Sequence, residues 1–208
     1  MRGIFVVFEG GDGVGKSTQV ARLSAWLAAQ GRETVTTFEP GDGPVNAQIR
    51  RILLSRDTAE LNPRTEALLF AADRAQHVET VVQPALRRGA MVVSDRYVDS
   101  TLAYQGAGRV LDAGAVAEIN TWATGGLLPD LTVLLDLEPS LGVSAVTSQD
   151  RIEAAGDDFH ARVRQGFLSL AARAPERYLV LPARQNRDHI AAEVQARVQH
   201  LLVRRGQT

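Results

Sequence analysis

Residues Gly10-Gly11-Asp12-Gly13-Val14-Gly15-Lys16-Ser17 satisfy the pattern G-x-x-x-x-G-K-[ST], and their context gives the match its weight. The run Ile4-Phe5-Val6-Val7-Phe8 precedes it, β-branched and aromatic like a buried strand. Val20, Leu23, Trp26 and Leu27 follow at helical spacing. A strand that turns through glycines into a helix leaves few folds open. Glycines let backbone N–H groups curl around phosphate oxygens, and the helix N-terminus adds favourable partial charge. A lysine then reaches the β- and γ-phosphates while the hydroxyl is offered to Mg²⁺. A ligand-free glycine turn would produce the pattern by chance in roughly one chain of this size in a few hundred. Lysine usage adds an independent argument: of 23 basic residues, Lys16 is the one lysine. Placed at random among the basic sites, it would fall here about one time in 23.

The remaining pattern continues the alternation. Strands are predicted at Thr34–Phe38, Ala90–Ser94, Leu131–Leu137 and Tyr178–Leu181. Helices are predicted at Lys16–Gln30, Val45–Leu54, Ser100–Gln105, Ala113–Ala123, Asp157–Ala172 and Asp188–Val203, with one more starting at Pro139. Pro63 suits the first position of a long helix running to about Arg88, closed by Gly89. Strands and helices in this rhythm imply βαβ crossovers, hence a parallel sheet covered on both faces. Such sheets bind ligands beyond the carboxyl ends of their strands, where the glycines and charges of this chain collect.

Composition removes several alternatives. The net charge of −1 argues against a nucleic-acid protein relying on bulk positive charge, and the absence of cysteine excludes disulfides and thiolate chemistry. No run of 18 apolar residues occurs, so no bilayer span is expected. Glu9 ends the first apolar run far short of a secretory leader, and a cytoplasmic protein of one domain, residues 1–208, is expected. His77, His160, His189 and His200 lack metal-ligand spacing and are expected to be structural or solvated; Trp26 and Trp122 fit core-facing helix positions.

A phosphate loop does not by itself name a reaction. A guanine-specific switch normally needs Asn-Lys-x-Asp, which a chain with its one lysine in the loop cannot contain. ATPase motors usually end a strand in Asp-Glu, whereas strand three here runs into Asp95-Arg96-Tyr97. A cation there suits an anionic acceptor better than water, which points to phosphoryl transfer onto a phosphate. Asp95 is read as a Mg²⁺ holder or as a partner of Arg96. Phe70 and Arg74, four apart, share one side of the long helix about 6 Å apart along its axis.

The stretch Phe8–Gln19 resembles the opening of thymidylate kinases. So do Glu39-Pro40-Gly41, Leu68–Arg74, and Asp95-Arg96-Tyr97 leading into Ala103-Tyr104-Gln105-Gly106. Asp150-Arg151-Ile152-Glu153, with Phe159 and Arg162-Val163-Arg164, resembles that family's lid and the helix after it; the motifs run in family order to about Phe167. The resemblance implies a P-loop kinase fold, an α/β architecture of five parallel strands with helices on both faces and a small lid at about 147–157. It implies transfer of the ATP γ-phosphoryl group to dTMP in a Mg²⁺-dependent homodimer packed through helices.

The implied site is specific. ATP is held by Gly10, Gly11, Asp12, Gly13, Val14, Gly15, Lys16, Ser17 and Thr18; Mg²⁺ by Ser17 and Asp95. Lys16, Asp95, Arg96 and Arg151 are the implied catalytic residues, and Arg96 grips the acceptor phosphate. Phe70 stacks on thymine and Arg74 donates to a base carbonyl, with Thr101 and Gln105 nearby. Tyr104 crowds the sugar 2′ position, Asp12 approaches the 3′-hydroxyl, and Glu39 completes the substrate-binding set.

Two departures stand out. Phe38 occupies a position commonly Arg in bacterial relatives, with Arg50 or Arg51 as candidates to replace the charge. Ser140–Gln149 carries no basic residue, which leaves Arg151 as the main lid cation, with Arg162 and Arg164 behind it.

Overall fold

The computed structural model describes residues 2–55, 58, 60–138, 152 and 156–206. Five strands form one all-parallel sheet in the order β2-β3-β1-β4-β5: β1 (Phe5–Gly10), β2 (Thr34–Phe38), β3 (Met91–Asp95), β4 (Leu131–Asp136) and β5 (Tyr178–Pro182). Central β1 is buried along its whole length, which is why its first four residues, Phe5–Phe8, read as an unbroken apolar run. Alternate side chains point to opposite faces. Val6 and Phe8 enter a core with α1 (Lys16–Ala29) and α8 (Arg187–Arg204), whereas Phe5 and Val7 pack on Val78, Val82, Leu86 and Tyr97. Register places Phe8 opposite Asp95 on one side and Val133 on the other, so the glycine loop and the end of β3 emerge together.

The other helices are α2 (Pro44–Leu54), α3 (Pro63–His77), α4 (Gln83–Arg87), α5 (Val98–Thr101), α6 (Ala113–Thr124) and α7 (Asp157–Arg173). Pro63 does open α3, with the Asn62 side chain accepting from the Arg64 N–H. The single helix expected as far as Arg88 is instead interrupted by a π-helical turn at Val78–Val82. Pro84 has no N–H to close an α turn onto the Thr80 carbonyl, and the ladder widens just before it. A second π turn, Leu102–Gly108, continues α5 where a plain helix was expected. Trp26 packs partly buried against the core as expected, but Trp122 is 85% exposed on α6 and is not a core residue. The helix expected from Pro139 lies outside the described residues, as does the lid except for Ile152, Gly156 and Asp157.

Candidate active site

The glycine loop is fixed by close approach. At Gly10, φ is 133° and a Cβ would sit 2.4 Å from the Leu135 carbonyl oxygen, so β4 leaves no room for a side chain. Gly15, left-handed at φ 97°, turns the chain into α1. Lys16 is the first residue of that helix and folds back over the loop, its Nζ donating to Gly11 O at 2.6 Å and Gly10 O at 3.1 Å. Burial and the neighbouring Arg96 lower its pKa to about 8, leaving the ammonium charged at neutral pH.

Ser17, one residue on, donates to Asp95 Oδ2 at 2.8 Å across 78 residues of sequence. A hydroxyl and a strand-end carboxylate are hard oxygen donors of the kind Mg²⁺ takes when phosphates and water complete its shell. Among the described residues no group of three or more His, Cys, Asp or Glu could hold a metal on its own. The donor set therefore fits a metal brought with a nucleotide rather than a caged one. Asp95 meets Ser17, while Arg96 turns to a different carboxylate.

That carboxylate is Asp12. Arg96 has a left-handed backbone, φ 71°, and its Nη2 bonds Asp12 while its Nη1 donates to Gly10 O and Ser100 Oγ. The Tyr104 hydroxyl donates to Asp12 Oδ2 at 3.0 Å, and the Arg96 guanidinium lies 5.2 Å from the Tyr104 ring centre. Burial alone would raise the Asp12 carboxyl, but Arg96 and Lys16 outweigh it and hold the pKa down at about 2. The unusual turn at Arg96 is braced from beneath. Buried Glu9 accepts from the backbone N–H groups of Tyr97 and Ser100 and from the Ser100 hydroxyl. Burial and nearby Asp99 raise the Glu9 pKa to about 7.

Two pockets open on these groups. One runs along the loop past Gly13, Gly15, Lys16, Ser17, Thr18 and Asp95. The other is lined by Phe70, Thr101, Tyr104, Gln105, Leu54 and Ile152. Asp12, Glu39, Arg50 and Arg96 line both and form the shared wall. Arg50 stands beside Phe38: its guanidinium lies 5.8 Å from the Phe38 ring centre and donates to Pro40 O at 2.6 Å. Exposed Arg51 lines neither pocket.

Phe70 lines the second pocket, but Arg74 does not join it there. Arg74 is 1% exposed and each of its three guanidinium nitrogens meets a protein acceptor. They reach Glu39 twice, Thr101, Asn120 and the Tyr97 carbonyl. Burial works to raise the Glu39 carboxyl, but Arg74 and His77 reverse this and lower it. His77, buried as expected for a structural histidine, links Glu39 at 2.7 Å to the Thr37 hydroxyl at 2.6 Å. Arg74→Met leaves Glu39 a buried carboxylate without its main partner and should cost about 3–5 kcal/mol of stability, read by urea unfolding at pH 7. A loss below about 1 kcal/mol would contradict the role given to the pair. Because the Glu39 pKa is lowered in the folded protein, its contribution is complete above the unfolded value and is lost as pH falls through the folded one.

Arg151 lies outside the described residues; its neighbour Ile152 is buried against the second pocket. The arginines placed behind it are engaged elsewhere, Arg162 with the Gly108 carbonyl and Arg164 with Asp136 and Glu138. Sequence reasoning gave no role to Glu9, Ser100 or Glu66. Glu9 carried a signal, as a carboxylate inside an otherwise apolar strand.

Parallel sheet, strand order and glycine loop define the class as a P-loop kinase fold. The thymidylate kinase family model matches residues 8–194. The chain is 55% identical to the thymidylate kinase of Cutibacterium acnes, over 98% of this chain and 100% of that one. It is 57% identical to that of Clavibacter sepedonicus, over 99% of each. The crystal structure of thymidylate kinase from Ehrlichia chaffeensis superposes with a TM-score of 0.80 at 28% identity, covering 96% of this chain and 100% of that one. The chain belongs to the thymidylate kinase family.

Proposed function

We propose that this protein transfers the γ-phosphoryl group of ATP to dTMP, giving dTDP and ADP. The observation that carries the reading is the shared wall: Asp12, Glu39, Arg50 and Arg96 separate a phosphate-loop pocket from one holding Phe70, Thr101 and Gln105. An acceptor phosphate on that wall faces the end of a triphosphate lying on Lys16. A phosphate oxygen of dTMP attacks the γ-phosphorus, the bond from that phosphorus to the bridging β-oxygen breaks, and ADP leaves with the electron pair. The attacking oxygen is already anionic, so no strong general base is needed; repulsion between two polyanions is the main obstacle.

Lys16 and the loop N–H groups offset the donor's charge, while Arg96 and Arg50 offset the acceptor's. Ser17 and Asp95 would hold Mg²⁺, which supplies charge neutralisation and orientation of the phosphates when bound. Phe70 stacks on the base, Thr101 and Gln105 meet its edge, Tyr104 closes the 2′ side of the sugar, and Asp12 approaches its 3′-hydroxyl. Arg74 supports this edge through Thr101. The test is product analysis by ³¹P NMR with ATP, Mg²⁺ and dTMP. Equimolar ADP and dTDP are expected; inorganic phosphate in place of dTDP would overturn the reading.

Arg151 is proposed to close over the transferring phosphate from a lid at about 147–157. Arg151→Ala should lower kcat at least about tenfold while changing dTMP affinity little, because its contact tightens in the transition state. Wild-type turnover in that variant would sink the assignment.

A homodimer is proposed through α2, α3 and α6. Helix α3 packs on both others, and exposed Ile52, Leu68 and Trp122 call for an apolar cover. Light scattering should give about twice the chain mass, and Trp122→Glu should give a single chain; a monomeric wild type would contradict the proposal. No helix among the described residues is long and apolar enough to cross a membrane, and a cytoplasmic location is proposed.

A further inference from the structure

The base pocket has an edge whose hydrogen-bonding polarity is set from behind. Gln105 lines that pocket while only 1% exposed, and its amide could in principle present either its oxygen or its nitrogen. Glu66 removes the choice. It lies on α3 one turn before Phe70 and is 1% exposed. Glu66 Oε1 accepts from Gln105 Nε2 at 2.9 Å and from Arg109 Nε at 3.1 Å, and its Oε2 accepts from Arg109 Nη2 at 3.3 Å. A carboxylate paired with a guanidinium has no proton to give, so only the amide nitrogen can face it. The carbonyl oxygen of Gln105 is then the polar atom left for the pocket, and no hydrogen bond among the described residues engages it.

Thr101 is restrained in the opposite sense. Arg74 Nη1 donates to Thr101 Oγ1 at 2.9 Å, and a guanidinium accepts nothing, so the hydroxyl proton is directed elsewhere. The edge thus offers one donor and one acceptor. Thymine presents the complement, a carbonyl at O4 and a proton on N3. Cytosine presents an amino group and a bare N3, wrong at both positions, and uracil presents the same edge as thymine.

We propose that Glu66, itself held by Arg109, is a positioning residue that fixes the Gln105 amide with its oxygen toward the base, so that the pocket admits pyrimidines carrying an N3 proton and rejects cytosine. The proposal rests on the dTMP kinase reading above. Its test is the ratio of kcat/KM for dTMP to that for dCMP, with dUMP as internal reference. Glu66→Gln can donate as well as accept, which frees the Gln105 amide to turn over. The dTMP:dCMP ratio should fall at least about tenfold while dTMP:dUMP stays within about twofold. A merely structural lesion would lower all three substrates together.

Gln105→Met should lower the dTMP:dCMP ratio comparably, and adding Glu66→Gln to it should change the ratio no further. Should Glu66→Gln fail to fold, Glu66→Met with Arg109→Met removes the buried pair together and leaves the amide unanchored, with the same expected loss of discrimination. An unchanged dTMP:dCMP ratio in an active, folded variant overturns the role of Glu66 alone. A further fall in the Gln105→Met background does so too. A wild-type protein that does not turn over dTMP overturns the parent reading as well.

Discussion

Lys16→Arg is expected to reduce phosphoryl transfer at least about a thousandfold while the protein stays folded. The charge is kept; the shape is not. Nζ sits 2.6 Å from the Gly11 carbonyl and 3.1 Å from that of Gly10, whose own Cα is backed against the Leu135 carbonyl. A compact ammonium can donate to those carbonyls and to phosphate oxygens in tetrahedral directions, whereas a planar fork cannot turn that tightly. A second readout follows from the lysine pKa of about 8. Bound phosphates raise that pKa, so nucleotide binding takes up a proton, and ATP affinity should be full below pH 8 and weaken as pH rises above it. Arginine stays protonated throughout, so this dependence should vanish in Lys16→Arg. Calorimetric titration at pH 7 and 9, with steady-state rates, checks both. Activity within tenfold of wild type would refute the fit, and the rarity of lysine would revert to composition bias.

Arg96→Gly should separate catalysis from stability. The left-handed backbone at Arg96 costs about 1–2 kcal/mol for a residue with a Cβ, and glycine relieves it. That relief offsets part of the loss of the Arg96 bonds to Asp12, Gly10 O and Ser100, so stability in urea unfolding should fall by only about 1–3 kcal/mol. The Glu9 clamp on Tyr97 and Ser100 survives the change, keeping the turn in place. What disappears is a bidentate cation on the wall common to both pockets, and kcat/KM should fall by about 10³–10⁵. Retention of a tenth of wild-type activity, or loss of cooperative unfolding, would contradict the assignment.

The parts legible in the sequence were those written in local chemistry. Strand β1 shows itself because burial on both faces demands an unbroken apolar run, and the loop because phosphate binding needs glycines and a lysine at fixed spacing. The five strands fall within about two residues of expectation for the same reason. Depth was not legible. The i, i+4 spacing of Phe70 and Arg74 says that they share a side of α3, but Glu39, 35 residues away, is what draws the arginine inward. The π turn before Pro84 exchanges one hydrogen-bond ladder for another without disturbing the apolar periodicity that was read. Trp122 fits a helix face equally well when that face is outward. The Glu66–Gln105–Arg109 cluster joins α3 to the turn after α5, a contact that tertiary folding creates and spacing cannot announce.

The most direct test of the account is the initial rate of ADP formation with ATP·Mg²⁺ against thymidine, dTMP, dUMP, dCMP and dGMP at equal concentration. The highest kcat/KM is expected for dTMP, with weaker turnover of dUMP and rates near background for dCMP, dGMP and the unphosphorylated nucleoside. Preference for another monophosphate or for thymidine, or ATP binding with no acceptor turned over, would contradict it.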